Sequence, residues 1–270
     1  MKALVCSEFG STEDLELEER DNLEPGPGEV LIDVKAAGVN FPDILTIQGK
    51  YQFKPSLPFI PGTEVSGVVK KLGEGVTTRK VGDEVVGMVQ IGGFATQVVT
   101  SEFSTFSKSE NMSYEQAAGF AMTYGTSYYA LKQRAKIQPG ETLLVLGAAG
   151  GVGIASIQIA KAMGARVIAA ASSEDKLDFA CKAGADLRIN YSNENLKEKV
   201  KDLTKGKGAD VIYDPVGGDF SEQAFRAIAW DGRFLVIGFA SGPIPKMPLN
   251  LALLKGASMV GVFWGAWMKR

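Results

Sequence analysis

The sequence predicts an α/β protein in two parts, a β-rich first part and a second part built on a doubly wound parallel sheet. Three observations carry this. From Met1 to about Met122 the apolar runs are short, nearly alternating and parted by Gly and Pro; after Thr123 strand-like and helix-like runs alternate; and the first strand of that second part ends in the glycine-rich turn LGAAGGVG. The chain has 270 residues, 45% hydrophobic and 22% charged, enough for one large or two ordinary domains and unlike a disordered, collagenous or coiled-coil chain.

In the first part the runs are ALVC, EPGPGEVLIDVKAAGVN, GTEVSGVVKKLG, VGDEVVGMV and GFATQVVT. The turns PGPGE at Pro25–Glu29, GEG at Gly73–Gly75 and VGD at Val81–Asp83 put glycine where a positive φ is easily adopted, and a barrel-like packing is expected. In the second part the spacing predicts strands at Thr142–Leu146, Arg166–Ala170, Leu187–Asn190, Val211–Asp214, Arg233–Ile237 and Ser258–Phe263, each Val/Ile/Leu-rich as in sheets covered on both faces. Helices are expected at Gly151–Met163, Ser173–Ala183, Glu194–Leu203 and Phe220–Ala229, completing right-handed βαβ units.

Charge and composition narrow the chemistry. Lys and Arg number 29 against 31 Asp and Glu, so the net charge of -2 gives no footprint for nucleic acid or an anionic membrane. There is no histidine, which excludes a His-based triad, a His general base and a His metal ligand. Cys6 and Cys181 are too few for a four-ligand structural zinc or a disulfide framework, so a reducing, cytoplasmic setting is expected. Glu8 interrupts the N-terminus before an apolar core could form, and no signal peptide is expected. The uncharged stretch Thr142–Ala160 reads as strand, turn and helix rather than a membrane span, because Gly147, Gly150, Gly151 and Gly153 break it.

A turn of this kind between a strand and a helix lets the backbone approach a pyrophosphate, which the helix's unpaired N–H groups and dipole would hold; the plainer alternative is that the glycines serve only tight packing. About 20 residues on, where an NAD-selective site carries Asp or Glu, the chain has Ala169, Ala170, Ala171, Ser172 and Ser173. Ser172 can donate to a 2′-phosphate and Lys176, one helical turn on, supplies charge, so NADPH is expected over NADH. Glu174 and Asp175 oppose this if they turn inward. The alternative is a helix capped by Ser172 or Ser173 with a solvated charged start.

With AAGGVG, the segments AGVNFPDILTIQGKY (Ala37–Tyr51), LPFIPGTEVSGVV (Leu57–Val69), YDPVGG (Tyr213–Gly218) and GFASG (Gly238–Gly242) resemble the medium-chain dehydrogenase/reductase superfamily, and within it the zinc-free quinone oxidoreductases. Where zinc-dependent relatives carry a Cys and the His of a GHE motif, this chain has Asn40 and Thr63, and it lacks the cysteine-rich lobe, so the resemblance implies no metal. It further implies a GroES-like catalytic domain at 1–122, a Rossmann NADPH-binding domain at 123–264, and at 265–270 the start of a C-terminally truncated return to the catalytic domain. The cofactor would lie in the cleft between domains, contacted by Thr126, Gly150, Gly151, Val152, Ser172, Lys176 and Tyr191. A quinone or other conjugated carbonyl would be the acceptor.

Asn40, Asp43 and Tyr51 resemble the family's cleft-lining residues, with Tyr51 donating from its phenol and Asn40 orienting the nicotinamide or the acceptor carbonyl. Their plainer readings are a turn for Asn40 and an N-cap of Ile44–Gln48 for Asp43; Tyr191 could equally be a partly buried strand-end residue. Two other functions remain open: reduction of an enoyl thioester, and NADPH binding without turnover in a truncated chain. The edge strand Ser258–Phe263, with Phe263, Trp264 and Trp267 exposed beside it, predicts a homodimer.

Overall fold

A computed structural model describes residues 1–268; the last two positions of the expected 265–270 segment lie outside the described residues. The chain divides into two compact units, Met1–Met122 and Thr123–Arg270.

In the first unit β1 (Lys2–Val5) pairs antiparallel with β2 (Glu16–Glu19). Five further strands form a second antiparallel sheet: β3 (Glu29–Gly38), β4 (Glu64–Leu72), β5 (Glu84–Met88), β6 (Gln97–Ser101) and β7 (Thr105–Ser107), in the order β6-β3-β4-β5-β7. Val30, Ile32, Val65, Val69, Val85 and Val98 pack as its core, the β-branched residues that a pleated surface favours. Register shifts between Leu31 and Ile32 and between Val34 and Ala36 bend β3 and β4, curling the sheet over that core. Between β3 and β4 lies α1 (Phe41–Ile47), and after β7 comes α2 (Tyr114–Ala118). The helix after Asn40 starts three residues earlier than the sequence suggested. Asn40 holds the N-cap position, Pro42 sits in the first turn where its missing N–H is harmless, and Asp43 is inside the helix rather than capping it.

The division between the units falls within α3 (Ala121–Tyr128), which runs on into a π-helical turn at Tyr129–Arg134. The second unit alternates β8 (Thr142–Leu146), α4 (Gly151–Ala162), β9 (Arg166–Ala171), α5 (Glu174–Lys182), β10 (Leu187–Asn190), α6 (Leu196–Leu203), β11 (Ala209–Asp214), α7 (Asp219–Arg226) and β12 (Ile228–Val236). It closes with α8 (Leu249–Lys255), β13 (Ser258–Gly261) and α9 (Trp264–Trp267). All six strands run parallel in the order β10-β9-β8-β11-β12-β13. The chain moves outward from β8 to β10 and then crosses to β11, so the strand order reverses between β8 and β11, where such sheets open a binding crevice beyond their C-terminal ends. Every residue of β8 and β11 is buried, as expected for strands covered on both faces.

The structure departs from the sequence reading at the far side of this sheet. The helix expected over Phe220–Ala229 ends at Arg226, because Ile228 already pairs with Ala209 in β12, and the strand then passes a left-handed residue at Asp231 (φ 58°) before Arg233. Helix α8 was not foreseen. The last strand stops at Gly261. Trp264, expected to be exposed, is only 8% exposed: its indole lies against Gly125, where an added Cβ would come within 2.4 Å. Phe263 and Trp267 do remain exposed, at 53% and 42%, although Trp267 also stacks on Tyr129 with ring centroids 4.9 Å apart.

Candidate active site

The glycine turn lies where β8 meets α4. Gly147 is left-handed (φ 58°) and a Cβ there would come within 2.8 Å of Val216; at Gly153 it would come within 2.6 Å of the Gly147 carbonyl, so this residue lets α4 sit close to the strand end. Gly150, at the N-cap of α4, meets nothing nearer than the Gly147 carbonyl at 3.3 Å. Beside it opens a cavity of about 520 Å³ lined by Gly147, Ala149, Gly150, Ala171, Asp175, Lys176, Phe179 and Tyr191.

This gathers Gly150, Lys176 and Tyr191 of the expected cofactor set on one cavity, and hydrogen bonds add Ser172. The Lys176 Nζ donates to Ser172 Oγ at 2.9 Å, and the Tyr191 side chain is hydrogen-bonded to Ser172 as well. Burial pushes the Tyr191 phenol up, so it stays a protonated donor at neutral pH. Its ring packs on Phe220 at 4.3 Å. Gly151 and Val152 form the first turn of α4. Thr126 lies on α3 and does not line the cavity; its neighbour Ser127 donates to the Val152 carbonyl at 3.1 Å. The Ser127 hydroxyl also meets the buried Tyr213 hydroxyl at 2.9 Å.

The two acidic residues next to Ser173 part ways. Glu174 is turned aside: its carboxylate accepts from Asn190 Nδ2 at 2.8 Å and faces the Arg188 guanidinium at 3.6 Å. Asp175 lines the cavity and is the residue that opposes a phosphate there. Ser173 holds the N-cap position of α5 without a side-chain cap bond.

In the first unit the start of α1 and the start of β4 bring four polar side chains together, those of Asn40, Asp43, Thr63 and Glu64. The Asn40 N–H donates to Asp43 Oδ2 at 2.8 Å, and Thr63 Oγ donates to Asp43 Oδ1 at 3.1 Å. Asn40 Nδ2 donates to Glu64 Oε2 at 3.2 Å, while Glu64 Oε1 accepts from the Ala121 N–H at 2.7 Å, and the Met122 N–H also bonds this carboxylate. Asp43 is 1% exposed and Glu64 0%. Burial outweighs these hydrogen bonds, pushing Asp43 up to about 6 and Glu64 up to about 7. Burial, with the nearby Asp43 carboxyl, also raises the Tyr51 phenol. Asn40 and Asp43 are therefore neighbours, and the Tyr51 phenol lies within electrostatic reach of Asp43. Glu64 and Thr63, which join them, were absent from the sequence-derived set; the available signal was a carboxylate opening an otherwise apolar strand, EVSGVV.

These donors do not suit a catalytic zinc. At the two positions where zinc-dependent relatives place ligands stand an amide and a hydroxyl, each donating a hydrogen bond to a carboxyl group. Among the described residues no three His, Cys, Asp or Glu side chains gather as a metal site. No helix among them is long and apolar enough to cross a membrane.

Comparison with known proteins follows both units. Residues 26–138 match the alcohol dehydrogenase GroES-like domain family and residues 151–270 the zinc-binding dehydrogenase family. A quinone oxidoreductase-like protein 2 homolog of Nematostella vectensis is 45% identical over 99% of this chain and 73% of its own length. Escherichia coli quinone oxidoreductase, solved in complex with NADPH, superposes with a TM-score of 0.93 at 33% identity, covering 99% of this chain and 82% of that one. The CurK enoyl reductase superposes with a TM-score of 0.90 at 30% identity, over 99% and 82% of the two chains.

Proposed function

The chain belongs to the medium-chain dehydrogenase/reductase superfamily, among its quinone oxidoreductase-like members, and from that premise we propose that this oxidoreductase uses NADPH to reduce a quinone or another conjugated carbonyl without a metal. The observation that carries the reading is the cavity at the glycine turn, where Ser172, Lys176 and Tyr191 present a cation and hydroxyls and where Glu174, the first acid of α5, is drawn aside. A dinucleotide fits this set. Gly150, Gly151 and Val152 offer backbone N–H groups to its pyrophosphate, with Ser172, Lys176 and Tyr191 around the 2′-phosphate and Thr126 adjoining. When bound, NADPH supplies the hydride.

In this reading residues 1–122 form the catalytic part and 123–264 hold the cofactor. Hydride arrival leaves negative charge on the acceptor oxygen, which a positioned donor must stabilise. Tyr51 donates its phenolic proton to that oxygen, and Asn40 donates an N–H. Asp43, tied to Asn40 and Thr63, keeps the loop in shape and stands near Tyr51. The likeness to the CurK enoyl reductase supports a second reading, reduction of an enoyl thioester. The test is NADPH oxidation against 1,4-naphthoquinone, a simple enone and an enoyl thioester. Preference for the quinone or enone supports the proposal, and preference for the thioester replaces it with the second reading. NADPH binding without oxidation by any acceptor would leave only a binding function.

Two further parts of the proposal concern setting and assembly. The two free thiols suit a reducing, cytoplasmic compartment. The edge strand β13 presents Met259, and Phe263 beyond it stays exposed, which supports pairing of two copies across this edge.

A further inference from the structure

Glu64 has no task in the reaction as described, yet it is a fully buried carboxylate at the start of β4. Its place is specified on every side. Its strand partners are Gly38 on β3 and Met88 on β5, neither charged. A side chain at Gly38 would come within 3.4 Å of Glu64 Oε2 and 2.2 Å of the Ala118 carbonyl, so glycine leaves room for the carboxylate. Two oxygens meet three donors, the Ala121 and Met122 N–H groups and the Asn40 side chain. Ionised, as it is above about pH 7, the carboxylate can only accept, so the Asn40 amide then turns its nitrogen toward β4.

We propose that Glu64 is a positioning residue: it fixes the Asn40 amide with Nδ2 toward the strand, so that one N–H is held by Glu64 and the second is set in advance to donate to the acceptor oxygen. This rests on the reading of Asn40 as an acceptor-handling residue. A donor fixed before the charge develops needs no reorganisation during the reaction, whereas a freely turning amide offers its carbonyl as readily as its nitrogen. Burial gives the arrangement a second element. Asp43 is the charged group acting on Glu64 from α1, and the two together make this a pocket where an unpaired amide would be poorly tolerated.

The test is Glu64→Gln, which keeps the size and a carbonyl for the backbone donors but places an amide nitrogen against Asn40 and so favours turning the Asn40 amide over. With 1,4-naphthoquinone the expected result is a loss of kcat of about 100-fold, the low end of what removing one oxyanion donor costs. The KM for NADPH and its binding measured by fluorescence should change less than about twofold. Asn40→Ala should show a similar loss, and Asn40→Ala/Glu64→Gln should be no worse than Asn40→Ala alone, since Glu64 acts through Asn40. Asn40→Asp/Glu64→Gln restores a donor–acceptor pair and should hold a single arrangement of the two side chains. Losses that add in the double variant overturn the role of Glu64. If Asn40→Ala turns over normally, the reading of Asn40 itself fails.

A readout independent of turnover is the side-chain NH₂ pair of Asn40 in ¹⁵N-asparagine-labelled protein, assigned by its disappearance in Asn40→Asp. Held by Glu64, the proton that points at β4 should be shifted downfield and exchange slowly, and both properties should be lost in Glu64→Gln. Signals unchanged in Glu64→Gln would refute the proposal. Should that variant not fold, Glu64→Asp keeps the charge but withdraws it by one methylene, and the same loss of protection is expected.

Discussion

Burying Glu64 has a thermodynamic consequence that stability measurements can read directly. Its carboxyl is raised from an ordinary 4.5 to about 7, chiefly because burial disfavours its charged form. Well below 4.5 both folded and unfolded chains carry the proton, and well above 7 neither does. Between those limits the unfolded chain releases a proton that the folded chain keeps, so stability falls as pH rises. At 1.36 kcal/mol per pH unit, Glu64 alone removes about 2–3 kcal/mol of stability between about pH 5 and about pH 8. Asp43, raised to about 6, acts in the same direction at lower pH. Glu64→Gln cannot ionise, so its stability relative to the wild type should improve by that amount across the range. Urea unfolding at several pH values is the assay. The three tryptophans, Trp230, Trp264 and Trp267, all lie in the second unit, so fluorescence follows that unit while far-ultraviolet circular dichroism adds the first. Parallel curves for wild type and Glu64→Gln would refute the argument that burial holds this proton.

Three other outcomes are expected. Lys176→Ala should weaken NADPH binding about 10-fold, the worth of one exposed charge–phosphate contact, and leave NADH unchanged; equal loss for both cofactors in a direct binding titration would show that Lys176 does not meet the 2′-phosphate. Turnover should survive exhaustive chelation, and activity lost to chelator and restored by zinc would overturn the metal-free reading. Light scattering over a range of concentrations should find a dimer that Met259→Lys splits, since a charge on β13 opposes edge pairing; a wild-type monomer throughout would remove the edge from the assembly.

The sequence made the second unit legible because its signals are local. Thr142–Leu146 and Leu187–Asn190 are bounded by turn residues and rich in β-branched or aliphatic side chains, and the observed strands have the same limits. Legibility faded where tertiary pairing overrides local pattern. Ile228 and Ala229 continue the apolar rhythm of α7, and only pairing with β11 draws them into a strand. Helix α8 was hidden because LNLALLK has no polar face by which to recognise it. At the site, Asn40, Asp43 and Tyr51 could be picked out because they fall within one segment of the chain. Glu64 lies a strand away, and its connection to Asn40 exists only in three dimensions. Glu174 was an open question for the same reason: Arg188 and Asn190, which draw it aside, come from the next strand.

The hydroxyl pair beneath α4 links the middle of the sheet to the helix start. Ser127 has one hydroxyl proton, and with that proton given to the Val152 carbonyl, Tyr213 must be the donor in the remaining contact. A relay of fixed direction thus runs from β11, through α3, to the backbone of the turn where a dinucleotide's phosphates would rest. The start of α4 is thus tied from below to a fully buried tyrosine. Tyr213→Phe is nearly invisible in shape but leaves Ser127 without its donor. Variation at this buried position would then register as altered cofactor affinity while the surface of the cavity kept the same residues.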